Sequence, residues 1–153
     1  MAQSQTQKAL YDEDFVAWLD DTIFKLKHQR FEEIDLENLI EEIGGLAKRD
    51  RRELRNRLEV LLSHLLKRLY VNSSNDYRAW EATIREQRRQ LRTLLEQSPS
   101  LKKYWVEIFP VAWQSALSDT QEEYLDAQFP ERWDLNSEID NLLNEKFWSE
   151  DQR

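Results

Sequence analysis

The chain contains no cysteine. Within it, disulfides, thiolate nucleophiles and cysteine-based zinc or iron–sulfur centres are therefore excluded, a composition that fits a reducing compartment. Glycine is nearly absent too: Gly44 and Gly45 are the only two among 153 residues. Hairpin turns, bulges and strand-to-helix corners draw on glycine, so the composition argues against a sheet-based fold. One Gly-Gly pair also cannot supply a P-loop, a dinucleotide fingerprint or a nucleophile elbow. Three prolines complete a small supply of chain breakers. No apolar run approaches the roughly 18 residues of a membrane-spanning helix, and Met1–Lys8 is polar and Gln-rich, unlike a signal peptide. The expectation is a cytoplasmic protein with no membrane contact.

What is present points to helices. Leu, Glu, Arg, Gln and Ala dominate, all good helix formers, and 17 aromatics (6 Trp, 5 Tyr, 6 Phe) are too many for a disordered chain. Apolar residues recur at helical spacing through Phe15, Trp18, Leu19, Ile23 and Leu26, after a candidate N-cap at Asp12. Asp35 caps a second helix with the stripe Leu36, Leu39, Ile40, Ile43. Leu54 lies 18 residues beyond Leu36, five turns at about 3.6 residues each, so the later stripe of Leu54, Leu58, Leu61, Leu65 and Leu69 continues the first in register. One long helix over about 35–70 is expected, with a break at Gly44 as the alternative. Asn72 to Asp76 reads as a loop. A helix through Tyr77, Trp80, Ile84 and Leu91 follows and stops before Pro99. Another begins at Ser100, with Pro110 expected to kink or split it. Gln128 to Asn136 reads as a loop, and Ser137 to Leu143 as a short last helix. The expected architecture is all-α: a bundle of about four main helices around one long central helix, with a short C-terminal helix, as a single domain over residues 10–150 behind a flexible tail, 1–9.

Charge is segregated along this chain. Residues 11–42 hold 11 acids and 3 bases, residues 43–106 hold 15 bases and 7 acids, and residues 107–153 hold 12 acids and 3 bases, within a net charge of −8. The basic middle includes Lys48, Arg49, Arg51, Arg52, Arg55 and Arg57, and further on Arg78, Arg85, Arg88, Arg89 and Arg92. Pairing between neighbouring helices would account for such a pattern, each exposed pair contributing about 0–1 kcal/mol. The first functional expectation is a non-enzymatic module that binds a protein partner, or itself, through Lys48, Arg49, Arg51, Arg52 and Arg55. Asp50 and Arg51 fall where the apolar stripe of the long helix should pass. Buried charges there would need partners, so the gap marks a point where the helix leaves its neighbours or where a second subunit covers it.

Chemistry has few candidates. His28 sits where a cation suits a helix C-terminus. His64 borders the core, flanked by Arg57 and Arg68. Neither histidine has a glutamate three residues earlier, so the Glu-x-x-His signature of carboxylate-bridged helical metal sites is missing. Ser63 and His64 point about 100° apart on a helix and form no catalytic pair. No metal and no cofactor is expected. The second expectation is an enzyme or a small-ligand or metal binder centred on His64, with Glu41 or Glu42 and Arg88 beside it and the histidine acting as general base or metal ligand. Nucleic-acid binding ranks last, against a net charge of −8 and no helix-turn-helix signature.

The series YDEDFVAW from Tyr11, DLENLIEEI from Asp35, RRELRNRLEVLLSHLLKRLY from Arg51 and WEATIREQRR from Trp80 resembles the bacterial domain-of-unknown-function family twenty-nine over roughly residues 10–150. The resemblance implies a compact all-α bundle and no established activity. It places the family's motif positions on Asp14, Trp18, Glu41, Glu42, Arg52, His64, Leu65, Lys67, Trp80, Arg85 and Arg88, several of them polar, which suggests a shared buried network or site. The chain departs from the family pattern at Arg68, where a tryptophan is common, and at the Gly44–Gly45 pair, where a single glycine usually comes a few residues later.

Overall fold

The computed structural model describes residues 9–149. Among them there is no strand, and five α-helices follow a short helical stretch at 9–13: α1 (Phe15–Lys27), α2 (Leu36–Tyr70), α3 (Ser74–Gln97), α4 (Leu101–Glu123) and α5 (Ile139–Asn144). The all-α bundle expected from composition is what the chain forms. No helix among the described residues is long and apolar enough to cross a membrane. Apart from Ala9, which is helical, the expected N-terminal tail lies outside the described residues.

Local chemistry explains the boundaries. The N-cap of α1 is Asp14 rather than Asp12: its carboxylate accepts from the Ala17 N–H at 3.0 Å, satisfying a first-turn donor that has no helical partner. Buried Asp35 caps α2, accepting from the Asn38 backbone N–H at 3.2 Å and from its side-chain amide at 2.6 Å. From there α2 runs unbroken for 35 residues. Gly44 and Gly45 lie inside it, neither with positive φ, and a Cβ on either would meet nothing within 4 Å. Helix α3 starts at Ser74, three residues earlier than the polar loop suggests, and the Ser73 hydroxyl and the Asp76 carboxylate close its first turn. It ends ahead of Pro99, which disfavours helical backbone at Ser98. Helix α4 passes through Pro110 without splitting. Proline removes one N–H there, and the side chain is exposed on the outer face of the helix.

The chain divides into two compact units, residues 1–49 and 50–153. Their boundary falls at Asp50, the polar interruption of the α2 stripe. In the second unit Leu54, Leu58, Leu61 and Leu65 of α2 are buried with Ile84, Leu91 and Leu95 of α3, Trp105, Ala112 and Leu117 of α4, and Leu142 of α5. Trp133, in the loop before α5, meets Trp113 and Phe147 edge-on, each at 5.7 Å, and the Trp113 indole N–H donates to the Glu131 carbonyl at 3.1 Å. Here the in-phase leucines do what their spacing predicts: they pack.

The first unit is different. Trp18 is fully buried, with Tyr11 4.9 Å and Phe15 5.9 Å away between ring centres, and Ile34 is its other buried large hydrophobic among the described residues. The Tyr11 hydroxyl donates to the Glu42 carboxylate, tying residue 11 to α2.

Candidate functional site

The catalytic candidates are divided between the units, His64 and Arg88 in the second and Glu41 and Glu42 in the first. Within the second unit, His64 is half-buried on α2, with Nδ1 2.9 Å from the Val60 carbonyl. A carbonyl can only accept, so Nδ1 carries the proton and Nε2 is left as the basic nitrogen. Burial lowers the pKa of His64 and Lys67 lowers it further, against the Val60 hydrogen bond and Glu123, which raise it. Lys67 itself pairs with Glu123 at 2.9 Å. Glu41 and Glu42 belong to the first unit; Glu41 is exposed and Glu42 accepts the Tyr11 hydroxyl.

Arg88 is held in a third setting. Its Nε donates to the Leu142 carbonyl at 2.8 Å and its Nη2 to the Glu145 carbonyl at 2.6 Å. Arg92, one turn on, donates from Nη2 to the Leu143 carbonyl at 2.6 Å and from Nε to the Asn144 side chain at 3.3 Å. Two arginines thus satisfy the carbonyls left open at the C-terminal end of α5, where positive charge also suits the helix dipole. Among the described residues no three histidine or carboxylate side chains gather as a metal-binding group. His28, exposed, bonds the Phe24 carbonyl and stacks on the Phe24 ring at 4.1 Å.

The basic run is a surface. Lys48, Arg49 and Arg52 are exposed and have no ion pair or hydrogen bond among the described residues. Arg51 is exposed, 5.9 Å from the Tyr104 ring centre, and Arg55 pairs with Glu59 on its own helix at 3.0 Å.

Sequence reasoning missed a second surface. Of the predicted stripe Leu36, Leu39, Ile40, Ile43, only Leu39 is half-buried; the rest is exposed in the first unit, Ile40 at 67% and Ile43 at 58%, with Leu36 and Leu46 similar. Phe15, Ile23, Phe24 and Leu26 of α1 and Phe31 are exposed as well. Asn38, Leu39 and Glu42, one helical face away, turn inward. Leu36, Ile40, Ile43 and Ala47 keep the four-three-four spacing of a coiled-coil seam. Periodicity shows that a helix has an apolar face; it carries no information on what covers that face. Exposed apolar residues in such number are a feature of surfaces that bind other proteins.

A model of the family described as domain of unknown function DUF29 matches residues 10–148. No curated protein and no solved structure matches the chain.

Proposed function

The chain belongs to the DUF29 family, a domain of unknown function, and on that premise we propose that it is a non-enzymatic protein-interaction module whose first unit receives an apolar helix from a protein partner. The observation that carries this reading is the exposed seam of Leu36, Ile40 and Ile43. An amphipathic helix laid on such a seam buries apolar area at about 25 cal/mol per Å² and uses the helix-on-helix mode of recognition. The partner's rim is basic. Exposed Asp20 and Glu41 are among the 11 acids, against 3 bases, of residues 11–42. Two copies meeting here would juxtapose two such segments, which like-charge repulsion opposes. A cytoplasmic setting, expected from the cysteine-free composition, is part of this proposal.

A second surface is favoured by one observation, the exposed and unpaired Lys48, Arg49 and Arg52. With Arg51 and Arg55 they would bind an acidic partner instead. Affinity capture with the tagged chain separates the two readings. Ile40→Asp with Ile43→Asp should leave the circular dichroism unchanged, since both side chains are exposed, and should release the partner. Loss only on Arg51→Glu, Arg52→Glu and Arg55→Glu moves the surface to the basic run. A partner retained by both variant sets overturns the proposal.

A further inference from the structure

Arg85, Arg88 and Arg92 lie at i, i+3 and i+7 on α3, one face of the helix. Together with Lys146 and Trp148 they line a surface cavity of about 360 Å³ in the second unit, within the size range of small-molecule sites, roughly 300–1,000 Å³. Among the described residues four cationic side chains line it against one acidic residue, Glu81.

Tethering α5 does not account for this charge. Each guanidinium carries five N–H donors; Arg88 and Arg92 spend Nε and Nη2 on the segment 142–145, and their Nη1 groups have no bond among the described residues. Arg85 is exposed and makes no hydrogen bond or ion pair among the described residues, so it contributes charge without a visible structural role.

Behind the lining lies a second observation. The Arg68 side chain is fully buried. Its Nε is 3.5 Å from Glu81, while Nη1 and Nη2 are buried with no hydrogen-bond partner. The guanidinium sits 4.0 Å from the Tyr77 ring centre and 5.2 Å from that of Trp148. Glu81 and Trp148, two of its neighbours, both line the cavity. A buried cation with two unpartnered nitrogens is costly unless charge of the opposite sign is near. Arg88 is strained in the same sense: burial, then Arg92, push its pKa down to about 10, against the pull of Glu145.

We propose that this cavity binds a small doubly charged oxyanion, a phosphate ester or a dicarboxylate, gripped by Arg85, Arg88 and Arg92. Guanidinium forks match the paired oxygens of both groups. The Trp148 ring, with Ile84 and Leu143 in the lining, offers an apolar wall to the organic part of the ligand. The site lies wholly in the second unit and is independent of the partner surface proposed for the first.

Isothermal titration calorimetry at low salt tests the site with inorganic pyrophosphate and with succinate. Saturable one-to-one binding of at least one probe is expected: pyrophosphate alone assigns a phosphate ester, succinate alone a dicarboxylate. Arg85→Gln, at an exposed side chain whose loss should not disturb folding, is expected to weaken binding at least tenfold. Arg89→Gln, on the same helix but paired with Glu86 at 2.7 Å, should leave it unchanged. If neither probe binds, or if both variants weaken binding alike, the site is refuted.

Discussion

His64 donates its Nδ1–H to the Val60 carbonyl, and burial, opposed by that bond, sets the direction of its titration. Burial disfavours the imidazolium first and Lys67 repels it next, so the folded-state pKa lies below the ordinary value of 6.5. Because folding lowers this pKa, the neutral form is the one the fold accommodates. The contribution is complete above about pH 6.5 and is lost as pH falls through the lower, folded-state value. His64→Gln should therefore flatten the acid side of the stability profile, measured by urea unfolding between pH 7.5 and 5, and the wild-type ring should titrate below 6.5 by NMR. The sequence placed His64 at the edge of the core correctly. It could not show that Lys67 and Glu123 act on it there, since helical phase fixes direction around an axis and not the packing of other helices. Arg68 was legible only as a departure from the family pattern; its burial beside Glu81 depends on contacts 13 residues away.

At the scale of elements, α2 was the most readable feature. The 18-residue interval from Leu36 to Leu54 predicts one continuous helix, and the helix is continuous. The interruption at Asp50 and Arg51 marks the boundary between the compact units. Gly44 and Gly45 are the weak point of this helix, each costing about 1 kcal/mol relative to alanine. Neither requires glycine, since both have negative φ and open space where a Cβ would go. Gly44→Ala and Gly45→Ala are therefore expected to stabilise the isolated chain by about 1 kcal/mol each, seen as a higher midpoint in chemical unfolding. Helix α5 shows the opposite limit. Its extent was read nearly correctly, but its attachment through Arg88 and Arg92 spans more than 50 residues of sequence, and no local pattern encodes that pairing.

For the molecule as a whole, the two units differ in how they bury their apolar residues. The second holds the leucine and tryptophan core of four helices; the first rests on Trp18 and leaves its seam open. Trp18→Ala, a loss of about 3–5 kcal/mol at a filled core site, should abolish amide protection in residues 15–27 while amides of residues 54–66 stay protected in hydrogen exchange. Simultaneous loss in both regions would mean that the units fold as one. The central claim is that the seam of the first unit is the binding surface. It is tested most directly by placing a photo-crosslinking amino acid at position 40 in living cells, with a control at exposed Glu96. The account predicts a single adduct at position 40, absent at 96 and lost with Ile43→Asp, whose crosslinked peptide comes from another protein and carries apolar residues at helical spacing flanked by Lys or Arg. No adduct at position 40, the same adducts at 96, or a crosslinked peptide from this chain itself would contradict it.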